Sequence, residues 1–341
     1  MRIGVLTAGG DCPGLNAAIR AVARSALQQG DEAIGIRRGY RGLAEDDYVP
    51  LDMRRVSGIL HQGGTILSTS SFEPIREGAV DKVAEAFSEQ RLDAVVAIGG
   101  EHTMEITRQL HADRGLPLVG VPKTIDNDVG GTDFTFGFDT AVSIATEMID
   151  RLHTTAESHQ RVLLVEVMGR HAGWIALHAG LAAGAHLTLV PEEPFDVAEV
   201  AKIVEGRFDR GDTHVIGVVA EGASPRPGTM PLRDGGVDEY GHRRFTGVAQ
   251  QLGEELERRT GKEVRTTVLG HVQRGGTPTS FDRVLATRFG LHATIAAHEG
   301  AHGQMVALRG TEIELVPLAR AVATLKTVPP RRMAETGAFT G

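Results

Sequence analysis

The chain has 341 residues, 41% of them hydrophobic and 23% charged, a balance that suits a soluble globular protein of one large or two ordinary domains. Its formal charge of -8, with no basic run to offset it, excludes nonspecific nucleic-acid binding and points to small-molecule partners. The single cysteine, Cys12, excludes an intrachain disulfide, and no apolar run is long enough to span a bilayer, so a cytoplasmic protein with no membrane partner is expected.

Short β-branched runs alternate with longer segments of helical period, the pattern of parallel sheets covered by helices on both faces. The chain opens on a strand, Arg2 to Thr7, without the apolar stretch or cleavage site of a signal peptide. A helix is expected over Gly14 to Gln29, then strand Glu32 to Ile36, helix Glu77 to Gln90, strand Asp93 to Ile98, helix Thr103 to Asp113 and strand Leu116 to Val121. Helix Thr140 to Glu157, strand Arg161 to Val167, helix Ala172 to Ala182, strand Leu187 to Val190 and helix Val197 to Arg210 follow. The last elements are strand His214 to Ala220, helix Gly247 to Thr260, strand Val264 to Leu269 and helix Phe281 to Glu299. Gly222 to Arg244, rich in Gly, Pro and Arg, reads as a loop with a short hairpin. The tail after Val328 opens on Pro329-Pro330 without periodicity and reads as a surface extension. Eight strands with crossovers divide into two doubly wound, Rossmann-like α/β units, 1–137 plus 247–301 and 138–246 plus 302–328, with 329–341 as the extension.

The richest stretch is Gly120-Val-Pro-Lys-Thr-Ile-Asp-Asn-Asp-Val-Gly-Gly-Thr-Asp133, directly after a buried strand. It places Lys123, Thr124, Asp126 and Asp128 at the carboxyl edge of a sheet, where open α/β sheets bind ligands. In extended backbone Asp126 and Asp128 share a face while Asn127 turns back to brace the loop. A lone Asp-Asn-Asp is more often a capped polar turn, so the neighbours carry the argument. Three glycine loops, Thr7 to Gly14, Gln62 to Ser68 and Ile98 to Thr103, offer bare backbone amides as anion cradles. None has the spacing of a dinucleotide fingerprint or of a P-loop.

A second polar set ends strands in the other half: Met168-Gly169-Arg170-His171, Glu221-Gly222 and His271-Val-Gln-Arg274. Guanidinium grips phosphate bidentately and a carboxylate takes hydroxyls, so this set suits a phosphorylated sugar. His298-Glu-Gly-Ala-His302 matches a zinc-protease string, but Gly300 and Gly303 interrupt the helix that motif requires. Cys12 has no neighbour in sequence that would activate it and reads as a packed thiol.

Taken together, Gly9-Gly-Asp-Cys-Pro-Gly-Leu-Asn-Ala-Ala-Ile-Arg20, Gly63-Gly-Thr65, Gly99-Gly100, Pro122-Lys-Thr-Ile-Asp-Asn-Asp128, Met168-Gly-Arg-His-Ala-Gly-Trp174 and Gly270-His-Val-Gln-Arg-Gly-Gly276 resemble the phosphofructokinase family from Arg2 to about Thr327. Glu101 with Lys123, and Ala156-Glu-Ser-His159 with the Met168 stretch, look most like an actinobacterial branch whose members use ATP or pyrophosphate. The resemblance implies a phosphoryl-donor domain in the first unit and a sugar-phosphate domain in the second. Asp126 then takes the proton of the 1-hydroxyl of fructose 6-phosphate, with Thr124 and Asp128 placing that hydroxyl and Lys123 beside them. Glu101 matches the residue that helps hold Mg²⁺. Gly10, Tyr40, Ser71, Arg76, Gly100, His102 and Thr103 match donor-side positions. Met168, Gly169, Arg170, Glu221, His271 and Arg274 match sugar-phosphate contacts, and Arg161 and Arg265 match arginines lent by an adjacent subunit. A homo-oligomer with shared sites, a tetramer by family expectation, follows from that.

The departures fall on the donor side. His102 stands where ATP users of the family have glycine and pyrophosphate users aspartate, and an imidazole there is expected to crowd the ATP α-phosphate. Ser71 stands in place of an arginine that bridges the transferring phosphate, and Ser68 in place of a glycine. Loss of that arginine could remove about 3 kcal/mol of transition-state stabilisation, with Arg76 as the candidate replacement. Three classes therefore stay open: a magnesium-dependent 6-phosphofructokinase using ATP or pyrophosphate, a related phosphotransferase with another donor or ketose phosphate, and a sugar-phosphate-binding paralogue with impaired transfer.

Overall fold

The computed structural model describes residues 1–233, 236 and 247–337, so 234–235 and 237–244 of the stretch in which a short hairpin is expected lie outside the described residues. The chain divides into two compact units, Met1–Thr140 with Arg274–Lys326, and Ala141–Gln273 with Thr327–Gly341.

In chain order the first unit contains β1 (Arg2–Thr7), α1 (Leu15–Gln28), β2 (Glu32–Ile36), α2 (Tyr40–Ala44) and β3 (Tyr48–Pro50). It continues with α3 (Val80–Glu89), β4 (Ala94–Gly99), α4 (Glu101–Arg114), β5 (Leu118–Thr124) and the two-residue β6 (Phe136–Gly137). Helix α5 (Phe138–His159) leads into the second unit, which holds β7 (Val162–Val167), α6 (Trp174–Ala182), β8 (Leu187–Leu189) and α7 (Val197–Asp209). Then come β9 (Val215–Ala220), α8 (Val248–Thr260) and β10 (Val264–Val268). The chain returns to the first unit for α9 (Ser280–His298), β11 (Gln304–Arg309), β12 (Glu312–Pro317) and α10 (Leu318–Ala321), and ends on α11 (Pro330–Gly337) in the second.

The first sheet runs β12-β11-β5-β4-β1-β2-β3, with β6 paired to β5. Its centre is parallel and its two edge strands, β3 and β12, are antiparallel. β4, Ala-Val-Val-Ala-Ile-Gly, is buried at every position, as expected of a strand covered by helices on both faces. α1 and α9 pack on one another, and they approach so closely that a Cβ on Gly290 would meet the Ala18 carbonyl at 2.7 Å. The start of α9 is tied down by the fully buried Asp282, whose Oδ2 accepts from Thr140 N at 2.8 Å and from the Thr140 hydroxyl at 2.5 Å. Burial pushes the Asp282 carboxyl up to about 6 despite those donors. The second sheet, β10-β7-β9-β8, is wholly parallel.

Three features differ from the expectation. The segment from α8 to β10 belongs to the second unit, because β10 pairs with β7 rather than with a strand of the first sheet. Conversely 302–326 belongs to the first, because β11 adds in parallel to β5. The tail is not a plain extension, since Pro330 opens the helix α11. The zinc-like string lies across a helix end: α9 stops at His298, whose ring binds Asp31.

At the amino-terminal edge of the second sheet three histidines meet. Their ring centroids lie 5.5 Å (His186 and His214), 5.7 Å (His153 and His214) and 6.3 Å (His153 and His186) apart. His153 Nε2 donates to the Ala183 carbonyl at 2.8 Å, which leaves its Nδ1 to accept from His214 Nε2 at 3.5 Å. Ile216 N donates to His186 Nδ1 at 2.8 Å. The network uses neutral rings, and burial, aided by the Arg207 charge and the other two histidines, lowers His186 to about 4. Between pH 4 and the ordinary histidine value near 6.5 the unfolded chain therefore binds a proton that the folded chain refuses, so stability falls as pH is lowered through that window. Replacing His186 by Asn keeps an acceptor for Ile216 N and removes the titration. In denaturant titrations the wild type should lose on the order of 1 kcal/mol more than H186N between pH 7 and pH 5, allowing for partial exposure of the ring. Parallel pH profiles for the two proteins would contradict this account.

Candidate active site

β1, β4 and β5 pair in one register, Leu6 opposite Ala97 and Ala97 opposite Gly120, so the loops that leave them emerge at the same carboxyl edge. Those loops carry Gly9-Gly10-Asp11, Gly100-Glu101-His102 and Lys123 to Asp128.

The first loop is shaped by what lies over it. Gly9 has a φ of 75°, and a Cβ on Gly10 would come within 2.6 Å of the Arg274 guanidinium, which donates to the Asp11 carbonyl at 3.2 Å. Only glycine lets that arginine rest on the backbone. Lys123, 4% exposed, donates to the Gly10 carbonyl from the other side. Burial pulls its ammonium below the ordinary lysine value, with Arg274 adding to the effect and Asp11 and Asp126 opposing it. Cys12, between these groups in sequence, is fully buried and pushed up to about 12, a packed and unreactive thiol.

A strand-like segment is laced to this loop. Gly9 N donates to the Ser70 carbonyl at 3.1 Å and the Thr69 hydroxyl to the Gly9 carbonyl at 2.6 Å. Ser68 has a φ of 56°, left-handed backbone that glycine adopts without the roughly 1–2 kcal/mol a side chain costs. Its carbonyl accepts from the Thr7 hydroxyl at 2.8 Å, which holds the conformation. Ser71 ends the segment exposed, and Arg76 lies on an exposed turn beyond it.

Gly100 is the cap of α4, and the first-turn N–H groups of that helix have no acceptor within it, a placement that favours anions. Thr103 is buried, its hydroxyl wedged 2.4 Å from where a Gly99 Cβ would stand. The Glu101 carboxyl is raised by burial and then by the negative charge of Asp128, so the two acids sense one another. His102 is exposed and its Nε2 lies 3.2 Å from Glu73 Oε2, an engagement that swings the ring toward the 71–73 segment. Tyr40 does not reach this site. Its side chain is fully buried and its hydroxyl bonds Thr107 Oγ1 at 2.7 Å, so it is a core residue and not a donor contact.

The loop after β5 folds on itself. Asp126 N donates to Thr124 Oγ1 at 3.0 Å, which holds the hydroxyl and the carboxylate side chains in one turn. Asn127 is buried with a φ of 51°, and its Oδ1 accepts from Thr135 N at 3.1 Å and from Lys326 Nζ at 2.8 Å. The Thr135 hydroxyl donates to the Thr124 carbonyl at 2.8 Å and closes the circuit. Asn127 thus turns back to brace the loop as its sequence position suggested.

In the second unit, Met168, Gly169 and Arg170 follow β7 and Glu221 follows β9. Glu221 N donates to the Val167 carbonyl at 2.8 Å and Gly222 N to the Gly169 carbonyl at 3.1 Å. A Cβ on Gly222 would stand 2.0 Å from the Arg170 carbonyl, so glycine is what allows these two loops to touch. His271 lies on the 3-10 turn Gly270–Arg274, anchored by the fully buried Gln273, whose Oε1 accepts from Met168 N at 3.3 Å. Gln273 lies inside the Gly270–Gly276 motif but was given no role of its own from sequence, and no motif spacing marks Lys326 or Thr135.

Arg161 and Arg265 are elsewhere. They lie at the start of β7 and β10 and both form ion pairs with Glu263 Oε1, at 3.2 and 2.8 Å. Met168 is at the far end of β7, about 3.3 Å per residue away, roughly 20 Å in all. These two arginines therefore stand at the opposite edge of the sheet from Met168, Arg170 and Glu221 of the same chain.

Among the described residues no helix is long and apolar enough to cross a membrane, and no group of three or more His, Cys, Asp or Glu is arranged to hold a metal by itself. Comparison with known proteins gives a consistent assignment. The family described as Phosphofructokinase matches residues 2–297. "ATP-dependent 6-phosphofructokinase 3" of Streptomyces coelicolor is 61% identical over 338 residues, covering 98% of each chain. "Pyrophosphate--fructose 6-phosphate 1-phosphotransferase" of the same organism is 57% identical, covering 100% of each. Among solved structures, phosphofructokinase from Saccharomyces cerevisiae superposes with a TM-score of 0.80 at 30% identity over 99% of this chain; this chain spans 46% of that longer one.

Proposed function

Because the chain belongs to the phosphofructokinase family, we propose that it transfers a phosphoryl group from ATP to the 1-hydroxyl of fructose 6-phosphate, giving fructose 1,6-bisphosphate. The observation that carries this reading is the Thr124–Asp126 turn at the carboxyl end of β5, where the Thr124 hydroxyl is held against the backbone of the residue that bears the carboxylate by a bond from Asp126 N. Asp126 takes the proton of the attacking hydroxyl, and Thr124 and Asp128 orient it. Phosphoryl transfer asks the protein for little else than this placement and for neutralisation of charge.

Lys123 supplies part of that charge from a buried position beside Gly10. The N–H groups at the start of α4 and the bare backbone of Gly9 and Gly10 offer further positive potential to the donor phosphates. Glu101 is the residue that would hold Mg²⁺. One half-buried carboxylate whose charge is reinforced by Asp128 suits an ion that keeps water ligands and takes the rest of its oxygens from substrate phosphates. When bound, that ion supplies neutralisation of the charge on the transferring group.

Arg170, Glu221, His271 and Met168 are the proposed acceptor contacts in the second unit, with Arg274 in the first. Arg161 and Arg265, at the wrong edge of their own sheet, support a homo-oligomer in which they serve a neighbouring copy; a tetramer is the proposed state. The second reading, pyrophosphate as donor, is favoured by the side chain of His102 in the first turn of α4, where the family resemblance puts glycine in ATP users, beside the backbone proposed to bind phosphate. The relative that bears pyrophosphate in its name matches over the whole chain almost as well as the one that bears ATP.

A coupled assay for fructose 1,6-bisphosphate, run with ATP and with pyrophosphate in parallel and with and without Mg²⁺, tests the reading directly. Turnover with neither donor would overturn it in favour of a sugar-phosphate-binding paralogue. Asp126→Asn should lower kcat by on the order of 10³ or more while fructose 6-phosphate still binds, measured by calorimetry; near-normal kcat in that variant removes Asp126 from its role. His102→Gly should raise kcat/KM for ATP and leave that for pyrophosphate within about threefold, the effect of relieving a steric block of a kilocalorie or two. Unchanged ATP kinetics would show that the ring, drawn toward Glu73, does not obstruct the nucleotide.

A further inference from the structure

The side chain that does most to immobilise the 123–135 loop comes from the far end of the first unit. Lys326 Nζ donates to Asn127 Oδ1 at 2.8 Å, to the Thr132 carbonyl at 3.0 Å and to the Asp133 carbonyl at 2.8 Å. Its backbone N donates to the Asp128 carbonyl at 2.8 Å, so the lysine grips both shoulders of the loop. An ammonium has three N–H donors, and here three acceptors from one short segment converge on it.

The geometry is not that of a surface ion pair. Burial lowers the ammonium from the ordinary lysine value to about 8, against the charges of Asp133 and Asp128 and with that of Arg309. Two carbonyls and a neutral amide accept from it, so charge-assisted hydrogen bonding to the loop is part of what the lysine provides. The surroundings bring it there by close backbone approach: a Cβ on Gly130 would stand 2.6 Å from the Ala321 carbonyl and 2.7 Å from that of Thr324. Asn127 needs such help, because its backbone sits in the left-handed region with a φ of 51°.

We propose that Lys326 is a positioning residue for the phosphoryl-transfer site, holding Asn127 in its left-handed conformation so that Asp126 and Asp128, one residue to either side, present their carboxylates in fixed directions. The proposal rests on the assignment of Asp126 as the base. Lys326 touches no reacting atom; it acts through the Asn127 amide and the Thr132 and Asp133 carbonyls. Rotation at residue 127 would swing both neighbours, and misplacement of a base by about 1 Å is enough to cost two orders of magnitude in rate.

The test uses Lys326→Met, which keeps the stem and removes the donors, with Lys326→Gln as the milder replacement should the first fold poorly. Kinetics on the full chain should show kcat lowered roughly 10- to 100-fold, with KM for fructose 6-phosphate and for the donor within about threefold of wild type. Amide hydrogen exchange should rise at least about tenfold in the 124–135 segment while the β1 and β4 peptides keep their protection. Asn127→Ala should have a similar kcat, and the double variant should be no slower than the slower single one, since both act through one contact. Exchange unaltered in 124–135, or additive losses in the double variant, overturns the proposal. Exchange is read without turnover, so a wild-type protein inactive with every donor would defeat the functional reading while the clamp is still tested.

Discussion

Parallel pairing of β1, β4 and β5 in a single register is the constraint on which the first unit depends. It brings three loops, with no sequence contact between them, to the same edge, and each loop then needs a different device to survive there. The first is flattened by glycine beneath Arg274 and Lys123. The second is the open end of α4, left without a side-chain cap. The third carries the acids and is the only one that folds back on itself, through Asn127 and Thr135. A slip of one residue in β5 would turn Lys123 out of the interior and send Thr124 to the opposite face.

Charge is handled differently in the two units. In the first, buried or half-buried ionisable groups cluster at the carboxyl edge: Lys123 below its ordinary value, Glu101 above it, Lys326 near neutrality. Perturbed groups gathered in one place are what catalysis requires, and they are also what a protein avoids where no chemistry is done. In the second unit a large perturbation lies at the amino-terminal edge, in the histidine trio, away from the loops that carry Arg170 and Glu221. There the shift records the cost of packing three imidazoles together and reads as a matter of stability.

Much of this was legible in the chain itself, for reasons that can be named. β4 and β9 are continuous apolar runs, and α1, α8 and α9 follow with helical period, so strands and helices of the central layers announce themselves. The Lys123 to Asp128 loop was legible because an ammonium, a hydroxyl and two carboxylates occur within six residues. Sheet membership was not: whether β10 joins the first or second sheet is decided by which strand it pairs with, and pairing leaves no mark in a local window. β12 is mostly exposed and gives no alternating pattern to read, whereas β11, buried at its four central positions, follows the glycines Gly300 and Gly303 without a pattern that says which sheet it joins. α11 could have been read from Pro330, a residue at home in the first turn of a helix. Tyr40 is placed on the donor side by the resemblance alone, and only its full burial and its bond to Thr107 mark it as core. Lys326 lies in Thr-Leu-Lys-Thr-Val-Pro-Pro, where nothing distinguishes it from a solvated lysine.

The separation of 199 residues between Lys326 and Asn127 bears on biosynthesis. As the ribosome extends the chain, the β5 loop emerges long before the residue that fastens it, and the strands on both sides of it can pair in the meantime. A nascent chain halted between β9 and that lysine would hold Glu101, Asp126, Asp128 and Glu221 and still lack the proposed fastening. Fastening of that loop thereby waits until β11 and β12, which precede the lysine in the chain, have been made.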